Sequence, residues 1–241
     1  MGLGVRRKAF KVLGRGQIDP RPANRSGDPA RVLGYLAGLM GPIRTVVDVG
    51  ASTGIWTEEV RPHWPDARFL LIEAQDVHFA ELEAYAGSHA NVYVEKAAAS
   101  DHVGEIHFLS TNPWGGSASA EAFSVDDVVL PCITVDTAVE RHQLDGPYIL
   151  KLDTHGHERE ILAGAEHVVE QAALVVIEAY NFANFGRMTF WELCAAMVEY
   201  GFRPAGLFDP MTRPSDGLLW QMDLAFLPAS RPCFTGTTYG A

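Results

Sequence analysis

Cysteine is scarce: Cys132, Cys194 and Cys233 stand far apart and form neither a disulfide framework nor a metal-binding pair. Long apolar runs are missing too, since nothing in the 241 residues approaches the roughly 18 consecutive apolar residues of a membrane span. The basic start lacks the apolar stretch that follows it in a secretory signal. These absences point to a cytoplasmic protein without a transmembrane segment. Several catalytic signatures are absent as well. No Gly-x-x-x-x-Gly-Lys is present for phosphoryl transfer, and no Tyr-x-x-x-Lys for a short-chain dehydrogenase. Gly14-Arg15-Gly16 starts a dinucleotide motif, but Asp19 replaces its last glycine. His157-Glu158 starts a zinc-protease motif, but Ile161 stands where the second histidine belongs.

Positive charge is also short, with 19 Lys and Arg against 30 Asp and Glu, a formal net of −11. Eight of those basic residues fall in the first 31 positions, which leaves eleven against twenty-eight acids in the remainder. Such a body repels a phosphate backbone, so nucleic acid is not an expected partner. Residues 1–40 read as a basic arm ending in a short helix, Pro29 to Met40, which Asp28 can cap. Residues 41–241 read as one domain.

What the sequence does have is alternation. Strand-like runs at Thr45–Val49, Arg68–Glu73, Asn91–Glu95, Tyr148–Asp153 and Ala172–Glu178 are separated by helical stretches near Ile55–His63, Val77–Ala86, Val135–His142 and Glu158–Val169. The runs are almost continuously apolar, as strands buried on both faces are. The pattern predicts an α/β fold with a single doubly wound sheet, mostly parallel. Additional strands are expected at Glu105–Leu109 and Val128–Val135 around a Gly/Ser loop at 115–119. A helix near Thr189–Tyr200 precedes Arg203–Phe208 and Leu218–Leu227, expected to form an antiparallel C-terminal edge.

Four of the apolar runs carry an acid at or near their ends: Asp48, Glu73, Asp153 and Glu178. The carboxyl edge of an open parallel sheet is where ligands bind, and four carboxylates there cost desolvation unless a ligand uses them. Asp48 opens an acid-x-Gly-x-x-x-Gly loop through Gly50, Ser52 and Gly54. Glycine suits a sharp turn that lets the backbone approach a ligand. The acid would repel a pyrophosphate but suits a cationic amino group. Glu73, about twenty residues on, is placed to accept ribose hydroxyls. A nucleoside with a positively charged appendage satisfies both, and S-adenosylmethionine is such a molecule.

These residues resemble the FkbM family of class I S-adenosylmethionine-dependent methyltransferases, which have a Rossmann-like sheet. Three segments carry the resemblance: VVDVGASTG at 46–54, Ala98-Ala99-Ser100-Asp101 with Gly104, and Leu150 through Glu158, similar to the family's K-I-D-V-E-G-x-E signature. The Gly/Ser loop before Ser119 is similar to the family's G-x-S-S region. The resemblance implies that Asp48, Gly50 and Gly54 hold the methionine part of the cofactor and Glu73 the ribose. It places Ala98 near the adenine and Asp153 at the amino group or the transferring methyl. Ser52 and Ala74 are counted with the cofactor residues. Members mostly methylate hydroxyls, often of sugars or natural-product scaffolds. His155 departs from the pattern, which usually has glutamate there.

Methyl transfer from a sulfonium is an in-line displacement that depends on positioning, and an alcohol benefits from a general base. His155 and His157 lie just past Asp153 and titrate in the useful range. Only one should face the substrate, and His155 is the favoured base, with Asp153 and His157 as further catalytic candidates. A Mg2+ ion between Asp153 and Glu178 is the lesser alternative, because the cofactor already claims Asp153. Glu158 is expected to favour the helix dipole from its first turn. Trp114 and the stretch Tyr180, Asn181, Phe182, Asn184 and Phe185 are candidate pocket walls. The expected reaction is O-methylation of a hydroxylated small molecule. N-methylation of a small amine, a non-catalytic S-adenosylmethionine-binding protein and an NAD or nucleotide-sugar oxidoreductase are the alternatives. Oligomeric state is not legible.

Overall fold

The computed structural model describes residues 29–123, 127–183 and 187–236; the basic arm before Pro29, together with Asn184 and Phe185, lies outside the described residues. Helix α1 (Pro29–Leu39) buries Leu33 and Leu36. It leads into β1 (Thr45–Val49), buried at every residue. The chain continues through α2 (Ile55–Val60), β2 (Arg68–Glu73), α3 (Phe79–Gly87) and β3 (Val92–Lys96). Then come β4 (Ala98–Ala99), β5 (Gly104–Asn112), β6 (Gly115–Ser119) and β7 (Val128–Ile133), followed by α4 (Val135–Arg141) and β8 (Tyr148–Leu152). The last elements are α5 (Glu158–Ala163), α6 (Glu166–Glu170), β9 (Ala172–Tyr180), α7 (Phe190–Glu199), β10 (Phe202–Thr212) and β11 (Leu219–Pro228). No helix among the described residues is long and apolar enough to cross a membrane.

The main sheet has seven strands in the order β10-β11-β9-β8-β1-β2-β3. The strand order reverses direction of growth at β1, which places a crevice at the carboxyl ends of β1 and β8. Side chains alternate across the sheet. Val47, Ile72, Leu150 and Ile177 pack on one face with Ile161, Leu193 and Met197. Val46, Leu71, Ile149 and Val176 pack on the other with Leu36, Val60 and Leu82. Burial on both faces is why these strands read as unbroken apolar runs.

Three expectations need correction. The single sheet is two among the described residues, because β4, β7, β5 and β6 form a separate four-stranded sheet in that order. The Gly/Ser segment is not a loop: it is β6, paired antiparallel with β5 from His107↔Ser119 to Asn112↔Gly115. The C-terminal pair does form an antiparallel edge, but its reversed strand is the inner one and not the outermost. β11 runs antiparallel to both β9 and β10, and β10 lies outside it. A reversed strand inserted one place inward is invisible to hydropathy, which records burial and not direction.

The helix expected over Glu158–Val169 is also divided, into α5 and α6. Gly164 sits at the break, against the Ser100 carbonyl, where an added Cβ would stand 2.0 Å from that oxygen. This contact ties the second sheet's entry, at Ser100, to the helices under β8. Gly164→Ala is expected to destabilise the protein by about 1–3 kcal/mol, the usual range for overpacking. Urea denaturation checks it, and an unchanged midpoint would show that the contact yields freely.

Candidate active site

A cavity of about 570 Å3 opens at the carboxyl edge of the sheet, within the range of small-molecule sites. Its floor comes from the ends of β1, β2 and β8, and its roof from the β5–β6 hairpin, which contributes Phe108, Trp114 and Gly116. The hairpin is fastened down by side chains. Ser110 Oγ donates to Gln75 Oε1 at 2.6 Å, His78 Nε2 lies 2.5 Å from the Pro113 carbonyl, and Ser117 Oγ donates to the His155 carbonyl at 2.7 Å. None of these contacts has a signal in the sequence, because they join segments whose only common feature is polarity.

Of the residues expected at the cofactor, Gly50, Ser52, Glu73, Ala74, Ala98 and Asp153 line this cavity. Asp48 and Gly54 do not. Asp48 falls on the α1–α3 face of β1, where its carboxylate accepts a hydrogen bond from Thr57 Oγ1 at 2.7 Å. Gly54 is instead the N-cap of α2, at φ 79°. Gly50 is required for two reasons: its φ is 77°, and an added Cβ would stand 2.2 Å from the Asp153 carbonyl oxygen. Glu73 is shaped by the same loop. Its two carboxylate oxygens accept the backbone N–H of Ser52 and of Gln75, each at 2.7 Å.

Asp153 owes its state to a buried lysine. Lys151 points to the α1–α3 face of β8, with 2% of its side chain exposed, and its Nζ lies 2.8 Å from Asp153 Oδ2. The contact is close but poorly aligned, so the ammonium makes an ion pair without a well-formed hydrogen bond. Its second support is the Trp56 ring, 5.5 Å away. Burial would lower the Lys151 pKa, but Asp153, Asp223 and Asp48 outweigh it and hold the ammonium above its ordinary value. Burial likewise raises Asp153, yet Lys151 wins and holds it below the usual carboxylate range. Asp48 and Asp223 lose that competition. Desolvation pushes Asp48 up to about 6 and Asp223 up to about 7, despite the attraction of Lys151.

The far side of the cavity holds His155, Glu178 and Tyr180. His155 Nδ1 lies 2.5 Å from the Tyr180 hydroxyl and 3.3 Å from Glu178 Oε2, and Nε2 lies 2.7 Å from the Trp114 carbonyl. Tyr180 donates to one Glu178 oxygen and Gln221 Nε2 to the other. Burial would lower the His155 pKa, but Glu178, the Trp114 carbonyl and Asp153 outweigh it, so the imidazole sits above the ordinary histidine value. Desolvation and the Glu178 charge hold the Tyr180 proton tightly. His157 also lines the cavity. Its Nε2 is 2.9 Å from Ser100 Oγ and its Nδ1 3.5 Å from Glu160, and burial lowers its pKa. As the N-cap of α5, at φ 71°, it has a structural task. Glu158 accepts the Gly156 N–H at 2.8 Å from the first turn of α5.

With this geometry in view, the comparisons are informative. The model of the FkbM methyltransferase domain matches residues 48–204. The chain belongs to the FkbM methyltransferase family. Its fold is similar to that of the FkbM methyltransferase of Methylobacillus flagellatus KT, at 18% identity and a TM-score of 0.55 over 83% of this chain. The chain spans about half of that structure, 48% of its length. A looser likeness, TM-score 0.47 at 10% identity, links it to an uncharacterized protein of Listeria monocytogenes serotype 4b, over 87% of this chain and 69% of that one. No curated protein matches the sequence.

FkbM membership implies S-adenosylmethionine as methyl donor, and the residues present suit it. Ser52 Oγ and Thr154 Oγ1 are buried without a hydrogen-bond partner, and both residues line the cavity beside the Asp153 carboxylate. Unpaired hydroxyls and an anion fit a polar, cationic guest. Among the described residues, no group of three or more His, Cys, Asp or Glu stands where it could hold a metal ion. Asp153 is engaged by Lys151, and Glu178 by Tyr180 and Gln221. Residues not foreseen as site residues include Lys151, Gln75, Arg187, Trp220 and Gln221. Lys151 had a signal, a cation inside an apolar strand run, while the others come from segments without a pattern.

The charge cluster makes a pH prediction. Burial pushes the Asp223 carboxyl from its ordinary pKa of 3.8 up to about 7. The folded protein therefore holds this proton more tightly than the unfolded chain. That contribution to stability is complete below about pH 4 and is lost as pH rises through about 7. Asp223→Asn removes it, so the variant should gain stability relative to the parent between pH 4 and pH 8. Urea midpoints across that range test this, and parallel curves for the two proteins would contradict it.

Proposed function

We propose that the chain is an S-adenosylmethionine-dependent O-methyltransferase acting on the hydroxyl of a small molecule. The observation that carries the proposal is the meeting in one cavity of two kinds of group. Glu73, Asp153 and the unpaired Ser52 and Thr154 hydroxyls lie on one side, and the His155–Glu178 pair on the other.

Glu73, locked by two backbone N–H groups, keeps oxygen lone pairs for the ribose hydroxyls. Asp153, kept ionised by Lys151, faces the cationic amino group. Gly50 brings the β1 backbone to the cavity, and Ala74 and Ala98 are small residues for the flat nucleoside. When bound, S-adenosylmethionine supplies an electrophilic methyl on a sulfonium.

The chain's own work is to position the acceptor and accept its proton. Glu178 lies beside Nδ1 of His155 and favours a proton there, which leaves Nε2 as the base. In this arrangement that nitrogen faces the Trp114 carbonyl, which can only accept, so Nε2 carries a proton here and must release it before it can act. An acceptor hydroxyl under the hairpin would take the carbonyl's place and give its proton to the deprotonated Nε2, leaving its oxygen free to receive the methyl group that the donor supplies. Roof and sheet edge together exclude water from the reacting line. His157 contributes through its contacts with Ser100 and Glu160 at the start of α5 and not by moving a proton.

Calorimetric titration with S-adenosylhomocysteine, with NAD+ as control, should give micromolar binding that Glu73→Ala and Asp153→Asn each weaken at least tenfold. Binding of NAD+ instead, or of neither, would refute the cofactor assignment. With an acceptor found by screening, His155→Gln should lower kcat by roughly 10²–10⁴-fold. A base acts when deprotonated, so kcat should rise with pH through a value above the ordinary histidine pKa. Glu178→Gln should move that rise to lower pH. A flat profile would remove His155 from the reaction.

A further inference from the structure

The acceptor side of the cavity carries a cation that the methyl-transfer mechanism does not use. Arg187 lines the cavity, and its Cζ lies 4.5 Å from the centre of the Tyr180 ring. Its Nε is buried and has no hydrogen-bond partner. Arg213 offers a contrast on the same aromatic cluster. It sits 4.5 Å over Phe182, but its Nε donates to Asp216 at 3.0 Å. No carboxylate forms an ion pair with Arg187 among the described residues. Glu158, which feels the Arg187 charge, spends its oxygens on the backbone N–H groups of Gly156 and Met188.

A guanidinium presents planar, paired donors matched to a carboxylate or phosphate, and leaving a buried donor unpaired is costly unless a ligand completes it. Tyr180 and Trp220, an edge-to-face pair with ring centres 6.3 Å apart, line the cavity beside it. The cation is also remote from the nucleoside end. Glu73 ends β2, whereas Arg187 covers Tyr180 at the end of β9, three steps away in the strand order. At the usual strand spacing that is about 14 Å.

We infer that Arg187 anchors an anionic oxygen group of the methyl acceptor, so that the substrate is a hydroxylated compound bearing a carboxylate or a phosphate. The inference rests on the methyltransferase reading above and adds the substrate class to it. The oxyanion takes the two-pronged face of the guanidinium, and an aromatic or sugar ring lies along Tyr180 and Trp220. Its hydroxyl then points towards His155, which contacts the same Tyr180.

Trp114 and Trp220 line the cavity and report binding by fluorescence. The protein is saturated with S-adenosylhomocysteine and titrated with matched pairs, 4-hydroxybenzoate against 4-hydroxybenzyl alcohol and glucose 6-phosphate against glucose. The anionic member of at least one pair should bind at least tenfold more tightly. The pair that shows it separates a carboxylate from a phosphate preference. Arg187→Gln should abolish the preference while S-adenosylhomocysteine affinity stays at the parental value, which also certifies folding. Arg187→Lys should retain part of it. No preference in either pair, or a preference that survives in Arg187→Gln, overturns the inference. A fall in S-adenosylhomocysteine affinity in Arg187→Gln also overturns it, because the arginine would then serve the cofactor's carboxylate. If the parent fails to bind S-adenosylhomocysteine at all, the methyltransferase reading itself falls, and this inference with it.

Discussion

Lys151 carries its charge on the inner face of a central strand, and its neighbours are defined by that charge. Three carboxyl groups, Asp48, Asp153 and Asp223, compete for one ammonium. Asp153, at 2.8 Å, holds its negative charge, while the other two are pushed towards neutrality by burial. An isolated buried charge would be intolerable in this position, and a pair is tolerable only if both partners are retained. The arrangement delivers an ionised carboxylate at the strand end, facing a cavity, with its counter-charge hidden below. The remaining features of this side of the cavity follow. Gly50 has no side chain because the Asp153 backbone occupies the place of its Cβ. Glu73 is held by the loop that Gly50 begins.

The second sheet has a different origin. It is inserted between β3 and α4, and its hairpin covers a crevice that the main sheet alone would leave open. Polar contacts fasten the cover, with His155 at their centre. Its carbonyl accepts from Ser117 and its ring meets the Trp114 carbonyl. The residue favoured as base is thus also a latch for the roof. Glu178 and Tyr180 close the contact from behind, so the histidine's protonation follows burial and these polar neighbours together.

Much of the site was legible because its residues end strands. Glu73, Asp153 and Glu178 each close an apolar run, and a parallel sheet brings such ends to one edge. Asp48 shows the limit of that logic. It precedes the end of β1 by one residue, and a period of two turns its carboxylate onto Lys151 and Thr57 and away from the cavity. His157 shows another: two residues from His155 in sequence, it caps a helix and binds Ser100. The strand-like β6 was read as a loop because Gly and Ser disfavour strands, and pairing with β5 overrides that preference.

The sequence alone determined which strands are buried on both faces, where the glycine-rich turn falls and that Glu73, Asp153 and Glu178 reach the carboxyl edge. Those properties depend on local period and on burial, both of which hydropathy records. Tertiary structure decided the direction of β11, the separate sheet, the roof and the presence of Arg187, Trp220 and Gln221 in the cavity. Contacts between distant segments leave no period in the chain. Which polar side chain lacks a partner is a property of the assembled cavity, and it appears only when every neighbour is in place.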